Sequence, residues 1–155
     1  MNNNSAPRKK LPVNDLTGRV IGLAMKVHSE LGPGFLESVY VNSLAHELQK
    51  AGLKVERERP IKIYYDSLLV GDFFADLFVE EILVLEIKAV RDLHPTHEVQ
   101  TVNYLKATGT DTGLLINFGA KSLQFKRKFR QRVDERCKSE ALRNPVNPVN
   151  PVKRP

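Results

Sequence analysis

The hydrophobic period of this 155-residue chain changes from helical to alternating at Gly52, and that change limits the possible fold more than any other feature. Upstream, apolar residues recur every three or four positions: Leu16, Val20, Leu23, Val27 and Leu31 form one stripe, and Leu36, Val39, Leu44 and Leu48 a second. Asn14 or Asp15 can cap the first helix, and Gly32-Pro33-Gly34 ends it. A second helix over 35–51 closes at Gly52, where a left-handed residue is wanted, so the two should pack as a helical hairpin. Downstream the period is two, with β-rich runs over 53–65, 69–79 and 82–90, and Pro60 marks an edge or bulge in the first. Thr96 can cap a third helix over 97–107, closed by Gly109. A buried strand over 113–118 and an apolar–basic edge strand over 123–129 follow. The order α, α, β, β, β, α, β, β predicts an α/β layer whose last helix crosses the sheet.

This length supports one core, expected over residues 14–136. Residues 1–13 read as a flexible leader, and residues 137–155, with their repeated Asn-Pro-Val, as a basic disordered tail. Charge is uneven: residues 121–155 hold 11 Lys/Arg against 3 Asp/Glu, and residues 1–120 hold 13 against 15. A basic end beside a near-neutral body suits a phosphate backbone, and a merely solubilising tail is the alternative. The lone Cys137 allows no internal disulfide, so a reducing compartment, the cytoplasm, is expected. No apolar run is long enough to span a bilayer and no export signal is expected.

The run over 82–90 contains an anomaly. Leu83, Leu85, Ile87 and Ala89 make one apolar face, yet Glu86 and Lys88 share the other inside an otherwise buried run. On the preceding run, alternation puts Asp72, Phe74, Asp76 and Phe78 on one face and Phe73, Ala75, Leu77 and Val79 on the other. Asp76 lies opposite Glu86 if Glu80-Glu81-Ile82 forms the loop, because Val79 then pairs with Leu83. A two-residue Glu80-Glu81 turn would need positive φ at both, which Glu disfavours. Two facing carboxylates resist joint ionisation unless a cation neutralises them, and hard oxygen donors suit Mg²⁺ or Mn²⁺. An amine such as Lys88 beside the cation can hold the attacking water, so the trio describes phosphodiester hydrolysis. A cross-face ion pair on a solvated strand is the plain alternative for Glu86 and Lys88.

Other residues admit both functional and ordinary readings. Glu37 reads on its own as a first-turn acid favoured by the helix dipole, and Tyr40 as core packing. Gln100, Asn103, Tyr104 and Ala107 share a helical stripe that could position a phosphate, with Val99, Val102 and Leu105 as the core stripe. His94 and His97 read as loop residues, and His28 and His46 as helix-surface residues.

Gly34-Phe35-Leu36-Glu37-Ser38-Val39-Tyr40 resembles the motif of the GxxExxY proteins, which are placed in the PD-(D/E)xK nuclease superfamily. The likeness continues through Ala75-Asp76-Leu77, Leu85-Glu86-Ile87-Lys88-Ala89-Val90, residues 97–109 and residues 113–119. It implies a restriction-endonuclease-like αβββαβ core with an extra N-terminal helix and a C-terminal edge strand. It also implies a metal held by Asp76, Glu86 and Glu37, with Lys88, Gln100 and Tyr104 completing the catalytic set. Ala75 stands where the superfamily's name has Pro. The expected function is a Mg²⁺-dependent (or Mn²⁺-dependent) nuclease acting on nucleic acid, with DNA favoured. The alternatives are a non-catalytic nucleic-acid-binding module, or an interaction subunit dimerising through its first helix and exposed strand.

Overall fold

The computed structural model describes Pro7 and residues 9–131; the expected basic tail and Cys137 lie outside the described residues. Its elements run α1 (Val13–Leu31), α2 (Glu37–Lys50), β1 (Val55–Tyr65), β2 (Leu68–Val79), β3 (Leu83–Lys88), α3 (Pro95–Thr108), β4 (Thr112–Asn117) and β5 (Gln124–Phe129). The strands form one sheet in the order β1-β2-β3-β4-β5. Only β3 and β4 are parallel, because α3 carries the chain back across the sheet between them. This is the mixed α/β, restriction-endonuclease-like arrangement: α2 to β4 supply the αβββαβ core, α1 is the extra helix and β5 the added edge strand.

The helical hairpin forms one layer. Leu16, Val20, Leu44 and Leu48 are buried against Leu77, Leu85, Ile87, Leu114, Ile116 and Phe118 of the sheet. Lys26 bridges to Glu47 at 3.1 Å across the hairpin, an exposed pair that contributes orientation more than stability. The opposite face carries a smaller core of Ile61, Ala75, Phe78, Val84, Tyr104 and Leu105 beneath α3.

Several local expectations are corrected. α1 begins at Val13, inside the expected leader, with Pro12 as its N-cap residue and no side-chain cap, so neither Asn14 nor Asp15 caps it. Proline's fixed φ suits that extended cap position, and Asp15 instead lies in the first turn beside the positive end of the helix dipole. α3 is capped by His94, whose ring accepts from Thr96 N, while His97 Nδ1 accepts from His94 N at 3.1 Å. The two histidines therefore close a capping box, and neither is a loose loop residue. His28 also does more than face solvent, since its Nε2 lies 2.9 Å from Ala120 O and joins α1 to the loop after β4.

On α3 the inward stripe is Thr101, Tyr104 and Leu105, and Val99 is 60% exposed. Thr101 can be buried because its hydroxyl donates back to His97 O at 2.9 Å, which leaves no polar atom unsatisfied.

The β2–β3 register pairs Val79 with Leu83, as the odd-length loop requires. The argument from turn strain does not hold, because Glu80 and Glu81 take φ of 52° and 61°. Lys54 offsets that strain: its backbone N–H donates to Glu80 Oε1 at 2.6 Å, its C=O accepts from Glu80 N, and its ammonium pairs with Glu81 at 2.8 Å.

Simple alternation along β2 also fails at one place. Ala75 packs with Phe78 in the α3-side core and Phe73 lies against Tyr104, while Leu77 points into the hairpin-side core. The side chains change sides at Asp76, where the β1–β2 ladder omits the Glu58–Asp76 rung and Glu58 takes φ of 50°. Neither strand gains a residue there, since Arg57 still pairs with Leu77 and Arg59 with Ala75, so both strands switch sides together. The break frees Asp76 from strict up-or-down alternation, and its carboxylate reaches the Ile87 N–H of β3.

Candidate metal centre

The β2–β3 ladder ends at Leu77–Leu85, and Asp76 takes over where it stops. Its Oδ2 accepts from the backbone N–H of Ile87 at 2.7 Å, so a carboxylate stands in the place of the next ladder carbonyl. This anchors Asp76 beside Glu86 at the end of β3 and leaves its other oxygen for further contacts.

Glu86 is only 4% exposed, and among the described residues its Oε1 is buried with no hydrogen-bond partner. A buried unpaired carboxylate oxygen is costly and calls for a proton or a cation. Burial pushes the Glu86 pKa up to about 8, and the negative charges of Asp76 and Glu37 push the same way, while Lys88 opposes them. Burial likewise raises Asp76, with the Ile87 N–H and Lys88 offsetting part of the shift. Glu37 is raised by burial, lowered by Lys88 and raised by Asp76. Three carboxylates and one ammonium therefore feel one another's fields, and the cluster carries more negative charge than Lys88 balances.

Glu37 reaches this cluster because of the turn before α2. Gly34 takes φ of +114°, which a side chain would strain, and the chain there folds back over Tyr40. The buried Tyr40 hydroxyl donates to Gly32 O at 2.6 Å and accepts from Phe35 N at 3.2 Å, and its ring stacks on Phe118 at 4.8 Å. Tyr40 thus locks the first turn of α2, which begins at Glu37.

From the other layer α3 presents Tyr104, whose pKa is raised by burial and by the charges of Glu86 and Asp76. Gln100 Nε2 donates to the Tyr104 hydroxyl at 2.8 Å. All six residues singled out in the sequence, Glu37, Asp76, Glu86, Lys88, Gln100 and Tyr104, therefore gather at one end of the sheet. Among the described residues Lys88 makes no ion pair within 4 Å, which leaves its ammonium available.

Glu37 and Asp76 line a cleft of about 360 Å³ between α2 and the β1–β2 pair, together with Asn42, Arg57 and Glu58 among others, while Glu86 lies buried behind them. Alternation does not single out Arg57 and Asn42; the left-handed break at Glu58 and the hydrogen bond from Arg57 to Asn42 Oδ1 bring them to the cleft. No group of three or more His, Cys, Asp or Glu side chains among the described residues is close enough to form a complete metal cage. The donor set still fits a hard divalent cation of the Mg²⁺ type, which binds through one or two carboxylates and keeps its remaining places for water and phosphate. The unpartnered Glu86 oxygen is the atom such an ion would satisfy.

An anionic cluster with a lysine, on the central strand of a restriction-endonuclease-like sheet and its neighbour, defines the class. The model of the PD-(D/E)XK nuclease superfamily matches residues 14–129, and the chain belongs to that superfamily. Among solved structures it is similar to one titled "Crystal structure of SSO0001", with 17% identity and a TM-score of 0.48 over 90% of this chain and 77% of that one. No curated protein matches the sequence. No helix among the described residues is long and apolar enough to cross a membrane.

Proposed function

We propose that this chain is a Mg²⁺- or Mn²⁺-dependent nuclease that hydrolyses phosphodiester bonds in DNA. The observation that carries the reading is the buried Glu86 carboxylate, left with an unpartnered oxygen beside Asp76, Glu37 and a lysine. Asp76 and Glu86 would hold the ion, with Glu37 joining from α2. Once bound, the ion supplies charge neutralisation for the scissile phosphate and makes water more acidic.

The chain's own groups account for the rest. Lys88 orients the attacking water and offsets the charge that develops on the phosphoryl oxygens. Tyr104, held by Gln100, presents a hydroxyl toward the same region from α3. Arg57 at the cleft mouth suits a flanking phosphate. The GxxExxY resemblance of 34–40 supports Glu37 as part of the set, and the lone Cys137 supports a reducing, cytoplasmic setting.

The test is cleavage of labelled DNA with Mg²⁺ or Mn²⁺. Activity abolished by EDTA and by Lys88→Ala, with the variant still folded, is the expected result; no cleavage of single- or double-stranded DNA with either ion overturns the reading. A second reading, a nucleic-acid-binding module without chemistry, draws on the lack of a complete three-ligand cage among the described residues. It predicts salt-sensitive binding indifferent to EDTA and to Glu86→Gln.

A further inference from the structure

β2 continues past its last rung with β3, so its stretch from Leu68 to Ala75 pairs only with β1 and projects beyond the carboxylate cluster as a two-stranded arm. The arm carries large apolar side chains that no core covers, among them Phe73 (41% exposed) and Tyr64 (60% exposed). Between the arm and α3 runs a groove of about 410 Å³ with Phe73 and Ile63 on one wall and Val99, Gln100, Asn103 and Tyr104 on the other. A second cavity shares Ile63 and Asn103 with it and adds Tyr64, Lys62 and Lys106.

Three observations identify an occupant. First, the groove is continuous with the candidate centre: Tyr104 and Gln100 belong to both, and His97 on the groove wall feels the charge of Lys88. Second, the Phe73 ring is held in place. It lies 5.8 Å from the Tyr104 ring at 37°, and it leans so closely over Gly71 that a Cβ there would come within 2.8 Å of it. Third, Lys62 and Lys106 make no ion pair among the described residues, although Asp72 stands opposite Lys62 in the ladder. Aromatic faces interleaved with free ammonium groups suit an unpaired polynucleotide, whose bases stack while its phosphates meet cations. The amides of Gln100 and Asn103 supply donors and acceptors for base edges.

We propose that this groove is a base-stacking track for a single nucleic-acid strand, with Phe73 as the main platform, Tyr64 as the second, and Lys62 and Lys106 as backbone contacts. The proposal rests on the nuclease reading for its substrate class, but it is tested by binding without metal. A duplex keeps its bases stacked on each other and cannot use the track.

The chain contains no tryptophan, so Phe73→Trp introduces a single indole on the platform, which can be excited apart from the tyrosines. In EDTA, emission of the full-length Phe73→Trp protein should be quenched by oligo(dT), and equally by oligo(rU) if the sugar is not read, but not by a duplex of the same length. Wild-type affinity for oligo(dT), measured by anisotropy, should fall about tenfold on Phe73→Ala. It should also fall on Val99→Glu, an exposed change that folding tolerates. Lys62→Ala and Lys106→Ala should each reduce the salt dependence of binding by about one ion. Equal quenching by duplex, no quenching, or undiminished affinity in both groove variants overturns the track, as does self-association through the arm that Phe73→Ala abolishes. Strand binding that depends on Phe73 without any metal-dependent cleavage removes the nuclease reading alone, and cleavage indifferent to Phe73 removes the track alone.

Discussion

Replacing Glu86 by Gln should remove most of the loss of stability that the protein suffers as pH rises from 5 to 8. In the folded, metal-free protein Glu86 holds its proton up to about pH 8, whereas its ordinary value is 4.5. Between those limits the native state binds a proton that the unfolded chain has lost, so stability falls as pH rises. One such proton corresponds to about 1.4 kcal/mol per pH unit, or at most about 5 kcal/mol over the window. The contribution is fully present below about pH 4.5 and lost as pH passes about 8. Gln is neutral and nearly isosteric, so Glu86→Gln should be several kcal/mol more stable than the wild type at pH 8 and much closer to it at pH 5. Urea unfolding in EDTA from pH 5 to pH 8 measures this directly. Parallel pH profiles for the two proteins would refute the claim that Glu86 is buried among like charges.

Because Glu86 must shed its proton to accept a cation, Mg²⁺ affinity measured by calorimetry should rise with pH up to about 8, by no more than about tenfold per unit, with proton release. Tyr40→Phe removes the hydroxyl that bridges Gly32 O and Phe35 N, so urea unfolding should show a loss of about 1–3 kcal/mol, and metal affinity should weaken as Glu37 loosens. Gly119→Ala would set a Cβ 2.4 Å from Val90 O and 2.5 Å from Ala89 C, so it should destabilise severely or fail to fold, as soluble yield and circular dichroism would show.

Where the fold was legible from sequence, one physical signal dominated. The helical stripes, the switch at Gly52 and the apolar faces of Leu83–Lys88 and Thr112–Asn117 are burial patterns, and burial decides element type and order. The Val79–Leu83 register agrees with the odd-length loop and brings Asp76 level with Glu86. What escaped depends on contacts distant in sequence. The side switch at Asp76 needs the left-handed Glu58 on the neighbouring strand, and the positive φ of Glu80 and Glu81 needs Lys54, 26 residues before Glu80. The α3 stripe was misassigned because Val99 looks like core and Thr101 does not; only the hydrogen bond to His97 O makes the threonine a buried residue. Arg57 gave no signal, since its place at the cleft depends on the same left-handed break at Glu58.

Metal binding itself tests the central claim most directly. Mn²⁺ titrated into the full-length protein at pH 8 and followed by electron paramagnetic resonance should show specific binding that competing Mg²⁺ displaces and that the Asp76→Asn, Glu86→Gln double variant loses. Retention of the same Mn²⁺ signal by that folded double variant, or no specific binding by the wild type with or without DNA, would contradict the assignment of these carboxylates as the ion's holders.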